Sequence, residues 1–212
     1  MADLSAERVR SNLERVRAQI GPDVEILGAV KYLEAEDLGL LADAGLTLLG
    51  ENRAQELQRK AEAHAGRFTW DFIGALQSRK VRTLLPYVRY IHSVASDSAL
   101  EQLGRHGGPD TEVLVEVNVG GEAGKSGVAP AELDAFLARC PVSVVGLMAM
   151  PPLAIDPEES RPHFKALREL AHSHGLKHLS MGTSQDYIVA VEEGATIVRL
   201  GSVLYEAASS AS

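Results

Sequence analysis

Short apolar runs rich in Val, Ile and Leu alternate along this chain with longer stretches whose apolar residues recur at helical spacing. Each pair predicts a strand followed by a helix. One amphipathic stretch precedes any strand: Ser5 is a candidate cap for a helix reaching about Gln19, with Val9, Leu13 and Val16 on one face. Strands are then expected over Val24–Val30, Leu46–Leu49, Thr69–Ile73, Tyr90–Val94, Thr111–Val119, Ser143–Met148, around Leu179-Ser180, and over Thr196–Leu200. Helices are expected between them at Ala35–Ala44, Arg53–Ala65, Ser78–Leu85, Ser96 to Leu103, Pro130–Ala138, Pro157–His172 and Gln185–Glu192. Ser202–Ala208 would close the chain as a further helix.

Such alternation implies parallel strands joined by crossover helices. About eight regular units favour closure into a single TIM-type (β/α)8 barrel with an extra N-terminal helix, the rival being an open doubly wound sheet. The length, 212 residues, suits one barrel, and no linker or composition break divides residues 1–212.

Composition narrows the partners. The chain is 45% hydrophobic and 24% charged, as in an ordinary soluble protein. Its net charge of −8 and pI near 5.4 argue against nucleic acid and anionic membrane surfaces. The one cysteine, Cys140, forbids an internal disulfide and reads as a small, partly buried residue. No apolar run approaches the roughly 18 residues of a membrane span, and the charged N-terminus lacks a signal-peptide core, so a cytoplasmic location is expected.

In a barrel of this type, chemistry sits where strands end and loops begin. Lys31 directly follows the first apolar run, and an apolar setting there would favour its neutral amine, the form that makes a Schiff base. A solvated strand-end lysine is the alternative. Gly50-Glu51-Asn52 follows the second strand; Asn52 either bonds a ligand, with Glu51 orienting a neighbour, or caps the next helix. Gly182-Thr-Ser184 and Gly201-Ser202 follow the seventh and eighth strands, where barrels often hold phosphate on free backbone N–H groups. Arg199 lies in an otherwise apolar strand and either pairs a carboxylate or meets a ligand. The spacing of His172, His174 and His178 is not that of a zinc site and fits a solvated helix end better. Lys125 in Gly124-Lys-Ser-Gly127 lacks the first glycine of a nucleotide-binding loop.

Taken in order, several segments resemble the YggS/PROSC family of pyridoxal phosphate (PLP) homeostasis proteins across nearly the whole chain. They are Leu27-Gly-Ala-Val-Lys31, Gly50-Glu-Asn52 with Gln55 and Glu56, Trp70-Asp-Phe-Ile-Gly74-Ala-Leu-Gln77, and Val117-Asn118 through Glu122 to Lys125-Ser-Gly127. Gly146-Leu-Met148, Leu179-Ser-Met-Gly182-Thr-Ser184-Gln-Asp186 and Val198-Arg199-Leu-Gly201-Ser202 complete the series. The resemblance implies a barrel like the N-terminal domain of alanine racemase. It further implies that Lys31 forms the internal aldimine, Asn52 lies beside the cofactor, Ser184, Gly201 and Ser202 hold its phosphate, and Arg199 faces the pyridine nitrogen. Met148 and Gly182 join the implied cofactor site. Four residues depart from the family pattern: Val30 for Ser or Thr, Asp71 for His, Arg79 for Asn and Glu206 for Gly. They put the rim of the pocket in question.

An arginine opposite the ring nitrogen disfavours ring protonation and weakens the electron sink that PLP catalysis uses. Alanine racemase adds a tyrosine base from a second domain, which this chain, ending at Ser212 soon after its last strand, is not expected to carry. The expected function is therefore non-catalytic: storage, delivery or buffering of PLP by a monomer, with PLP-dependent apoenzymes as candidate recipients. The alternative is an amino-acid racemase-like PLP enzyme.

Overall fold

The computed structural model describes residues 4–122 and 124–206. Eight parallel strands close on themselves in chain order: β1 (Glu25–Ala29), β2 (Leu48–Glu51), β3 (Thr69–Phe72), β4 (Tyr90–Val94), β5 (Glu112–Glu116), β6 (Ser143–Met148), β7 (His178–Ser180) and β8 (Ile197–Leu200). The ring is sealed where β1 pairs β8, from Glu25↔Ile197 to Gly28↔Leu200. The chain is thus a barrel and not the open sheet, and closure leaves no strand edge unpaired.

The helices are α1 (Ala6–Ile20), α2 (Leu38–Asp43), α3 (Ala54–Ala63), α4 (Val81–Leu84), α5 (Asp97–His106), α6 (Leu133–Ala138), α7 (Arg161–Ser173), α8 (Tyr187–Glu192) and α9 (Ser202–Tyr205). The extra N-terminal helix, α1, is capped as expected, the Ser5 hydroxyl accepting from Arg8 N at 3.3 Å. Its face of Val9, Leu13, Val16 and Ile20 is buried. Between these apolar residues sits Asn12, also buried, which donates to the carbonyls of Leu204 and Glu206 at 3.1 Å each. These bonds satisfy carbonyls left without partners at the end of α9. The N-terminal helix thereby holds in place a helix whose first turn borders the barrel mouth.

Several boundaries differ from the sequence expectation, among them those of β2, β5 and α9. The second strand starts at Leu48 rather than Leu46, because Leu46 closes the end of α2 with a bond from its N–H to Leu41 O at 2.9 Å. β2 therefore carries Gly50 and Glu51 within the strand. The fifth strand ends at Glu116, the partner of Met148 at the end of β6; Val117 then bridges to Val128 in the following loop. α9 stops at Tyr205 because Glu206 is extended, and the remainder of the expected helix, Ala207 and Ala208, lies outside the described residues.

Most of the core lies between the strands and the helices, where Leu49, Leu57, Leu103, Val113, Phe164 and Val198 are buried. A smaller apolar set faces inward: Leu27, Tyr90, Leu114, Met148 and Ile197. Interiors of such barrels are filled mainly by branched aliphatic side chains. Here Asp71, His92, Ser180 and Arg199 are also buried, on β3, β4, β7 and β8.

Candidate functional site

At the C-terminal ends of the strands a cavity of about 500 Å³ opens to solvent. That size suits a small ligand. Lys31, Asn52, Met148, Ser184, Arg199, Gly201 and Ser202 all line it. Gly182 does not; its φ of +91° makes the turn out of β7, and an added Cβ would lie 2.6 Å from that of Ala190.

Lys31 is exposed rather than held within the apolar strand, and its ammonium stands 4.5 Å from the centre of the Tyr32 ring. The backbone before it is fixed. Val30 N donates to Gly50 O at 2.9 Å, and Lys60 Nζ donates to Val30 O at 2.8 Å. Lys60 also pairs Glu51 at 2.5 Å, with both side chains almost fully buried. The other Glu51 oxygen accepts from Asn52 N at 2.6 Å and Arg53 N at 3.1 Å. Glu51 thus orients the strand end, while Asn52 turns toward the cavity and is not the cap of α3, a position held by Arg53.

Ser184 Oγ accepts from Gly201 N at 3.1 Å and Val203 N at 3.3 Å. With its lone pairs so used, its hydroxyl proton is left to donate, and the loops after β7 and β8 are locked together. Arg199 makes no ion pair among the described residues. Its Nη1 donates to Ser180 Oγ at 2.6 Å, and its Nη2 reaches Ala149 O at 3.0 Å and Met150 Sδ at 3.3 Å. Its Nε–H and its second Nη1–H have no acceptor among the described residues, so donors remain for a ligand in the cavity. Burial pushes its pKa down to about 10, against the fields of Asp186 and Glu116, so it stays charged at neutral pH.

Sequence reasoning missed Glu116, a buried carboxylate at the end of β5 that lines the cavity and accepts from Ser126 Oγ at 2.6 Å. It also missed His92 and Ser180. Like Arg199, both are polar residues within apolar strands, and that signal was available. The three histidines separate: His174 bonds Leu170 O and Asp134, whereas His178 opens β7 with its ring 5.7 Å from that of Tyr90. The solvated helix end does not extend to His178, and no metal-binding cluster occurs among the described residues.

His92 is fully buried, and burial holds its pKa below the ordinary value against the pull of Asp71. His178 is displaced the same way by burial, and His174 the opposite way by its Leu170 and Asp134 bonds. Burial opposes ionisation of Asp71, yet the His92 and Arg89 hydrogen bonds hold its pKa below the usual carboxylate range. The unfolded chain takes up a proton on His92 near pH 6.5 and on Asp71 near pH 4, while the folded chain resists both. On this count stability should fall as the pH drops below about 6.5 and on through the lowered His92 pKa. His92→Gln should flatten part of that slope in thermal melts; an unchanged slope would mean His92 is not held neutral.

Comparisons with known proteins agree with this fold. Residues 4–209 match the family model for the alanine racemase N-terminal domain. A pyridoxal phosphate homeostasis protein of Aquifex aeolicus is 40% identical, over 95% of this chain and 97% of its own length. The chain belongs to the pyridoxal phosphate homeostasis protein family. PipY of Synechococcus elongatus, solved without PLP, is 32% identical with a TM-score of 0.84, covering 93% of this chain and 99% of its own. The PipY structure with PLP bound has a TM-score of 0.81 at 30% identity, with the same coverage. Of the four departures from the family pattern, only Glu206 lines the cavity. Val30 is buried at the end of β1, Arg79 is exposed and bonds Gln77, and Asp71 is not at the rim but fully buried inside the barrel.

Proposed function

We propose that this chain binds PLP in the mouth cavity and acts in PLP homeostasis, holding the cofactor rather than turning over a substrate with it. One observation carries this: a single cavity brings together an exposed amine, a loop pair with a free hydroxyl proton, and a buried guanidinium with a spare N–H. These match an aldehyde, a phosphate and a ring nitrogen. Lys31 is the residue for covalent attachment, Ser184 and Ser202 for the phosphate, with Gly201 lining the same loop and its N–H spent on Ser184, Arg199 for the nitrogen, and Asn52 and Met148 for the ring. Bound PLP supplies an electrophilic aldehyde and an electron-withdrawing ring. A permanently charged donor at the nitrogen keeps that ring unprotonated, which favours carriage over catalysis.

The names of the relatives support the homeostatic reading. On the same footing we propose a monomer in the cytoplasm that passes PLP to apoenzymes. Ser184→Ala tests the phosphate assignment. PLP affinity should drop by about 1.5–3 kcal/mol, the worth of a hydrogen bond to a charged acceptor, while pyridoxal, lacking the phosphate, should bind nearly as before. Equal losses for both ligands would place Ser184 away from the phosphate.

A further inference from the structure

The polar residues inside the barrel form one connected chain. Arg199 Nη1 donates to Ser180 Oγ at 2.6 Å, Ser180 Oγ lies 2.8 Å from His92 Nδ1, and His92 Nε2 lies 3.0 Å from Asp71 Oδ2. Arg89 clasps Asp71 with two bonds, Nε to Oδ1 at 3.1 Å and Nη2 to Oδ2 at 2.7 Å, and reaches Glu25 Oε1 at 2.7 Å. Asp71, His92 and Ser180 show essentially no solvent exposure.

The donors fix the proton positions. A guanidinium can only donate, so Ser180 Oγ accepts from Arg199. The Ser180 proton then has His92 Nδ1 as its acceptor, which makes Nδ1 a bare lone pair. His92 is therefore neutral, carries its proton on Nε2, and donates it to an ionised Asp71. Ser180, His92 and Asp71 are all satisfied in this arrangement. A protonated His92 would strand the Ser180 proton and place a third cation between Arg199 and Arg89, which burial makes costly.

We infer that Asp71, His92 and Ser180 are positioning residues for Arg199: a one-way chain of donated hydrogen bonds, ending on Asp71, holds the guanidinium where the cofactor's ring nitrogen meets it. Ser180 fixes one arm of the fork and Ala149 O the other, so the remaining N–H donors, on Nε and Nη1, are aimed rather than free to rotate. Asp71, which replaces the histidine common in the family, provides the anionic end that sets the direction of the chain. The inference rests on the assignment of Arg199 to the ring nitrogen.

Two measurements test it. In protein labelled with 15N-histidine, His92 should give the neutral signal protonated at Nε2 from about pH 6 to 8. A signal protonated at Nδ1, or at both nitrogens, would overturn the chain. The second measurement compares affinities for PLP and for its 1-deaza analogue, in which the ring nitrogen is a CH. The unaltered protein should prefer PLP by about tenfold, and Ser180→Ala and His92→Phe should each reduce that preference to about twofold or less. A merely structural role would weaken both ligands equally and leave the ratio intact, which would overturn the inference while sparing the Arg199 assignment. No preference in the unaltered protein would overturn that assignment and the inference with it.

Discussion

Lys60→Met is expected to destabilise the protein by about 3–5 kcal/mol, the usual cost of stripping the partner from a buried charge. Glu51 would keep the N–H groups of Asn52 and Arg53 but lose the ammonium that neutralises it, deep between β2 and α3. The damage should reach the site, because the same ammonium holds Val30 O, one residue before Lys31. PLP occupancy should therefore fall along with the urea midpoint. Adding Glu51→Gln should recover much of the stability, since the amide oxygen keeps both N–H bonds and no charge is left unpaired. It should not recover the Val30 contact. A single variant as stable as the parent would show that the Lys60–Glu51 pair is not buried as described.

Arg199→Glu is expected to be as disruptive, for a different reason. It removes the donor from Ser180 Oγ and Ala149 O and places a carboxylate in an interior that already holds Asp71 and borders Glu116. A loss of several kcal/mol, about 3–5, is the order to expect. If enough folded protein remains to bind PLP, an acceptor opposite the ring nitrogen should favour the protonated ring. The absorption spectrum should then change, and slow side reactions with added amino acids should appear. A folded, PLP-loaded variant with an unchanged spectrum across pH would separate Arg199 from the ring.

The barrel was legible because each strand–helix unit announces itself by a change of hydrophobic period, and parallel strands need crossover helices. The mouth was legible for a related reason: Lys31, Asn52, Ser184 and Gly201 each follow a strand end, so position along the chain already implies position on one face. What the pattern could not show is contact across the barrel. Asp71, His92 and Ser180 lie on β3, β4 and β7, and they meet only once the sheet closes. From the chain alone Arg199 had two readings, and closure removed the ion pair by supplying a serine and a carbonyl in place of a carboxylate. Leu46 misled for a local reason, since a residue that closes a helix is as apolar as one that starts a strand. Asp71 misled in the other direction: a departure within a cofactor motif suggested the rim, yet inward alternation along β3 puts it in the centre.

Mass spectrometry after borohydride reduction tests most directly the proposal that Lys31 carries the cofactor. Reduction of the PLP-loaded protein should fix one phosphopyridoxyl group per chain, on the peptide that contains Lys31, and Lys31→Ala should yield none. A group fixed on Lys60, Lys80, Lys125 or another lysine of the unaltered protein, with Lys31 unmodified, would contradict it.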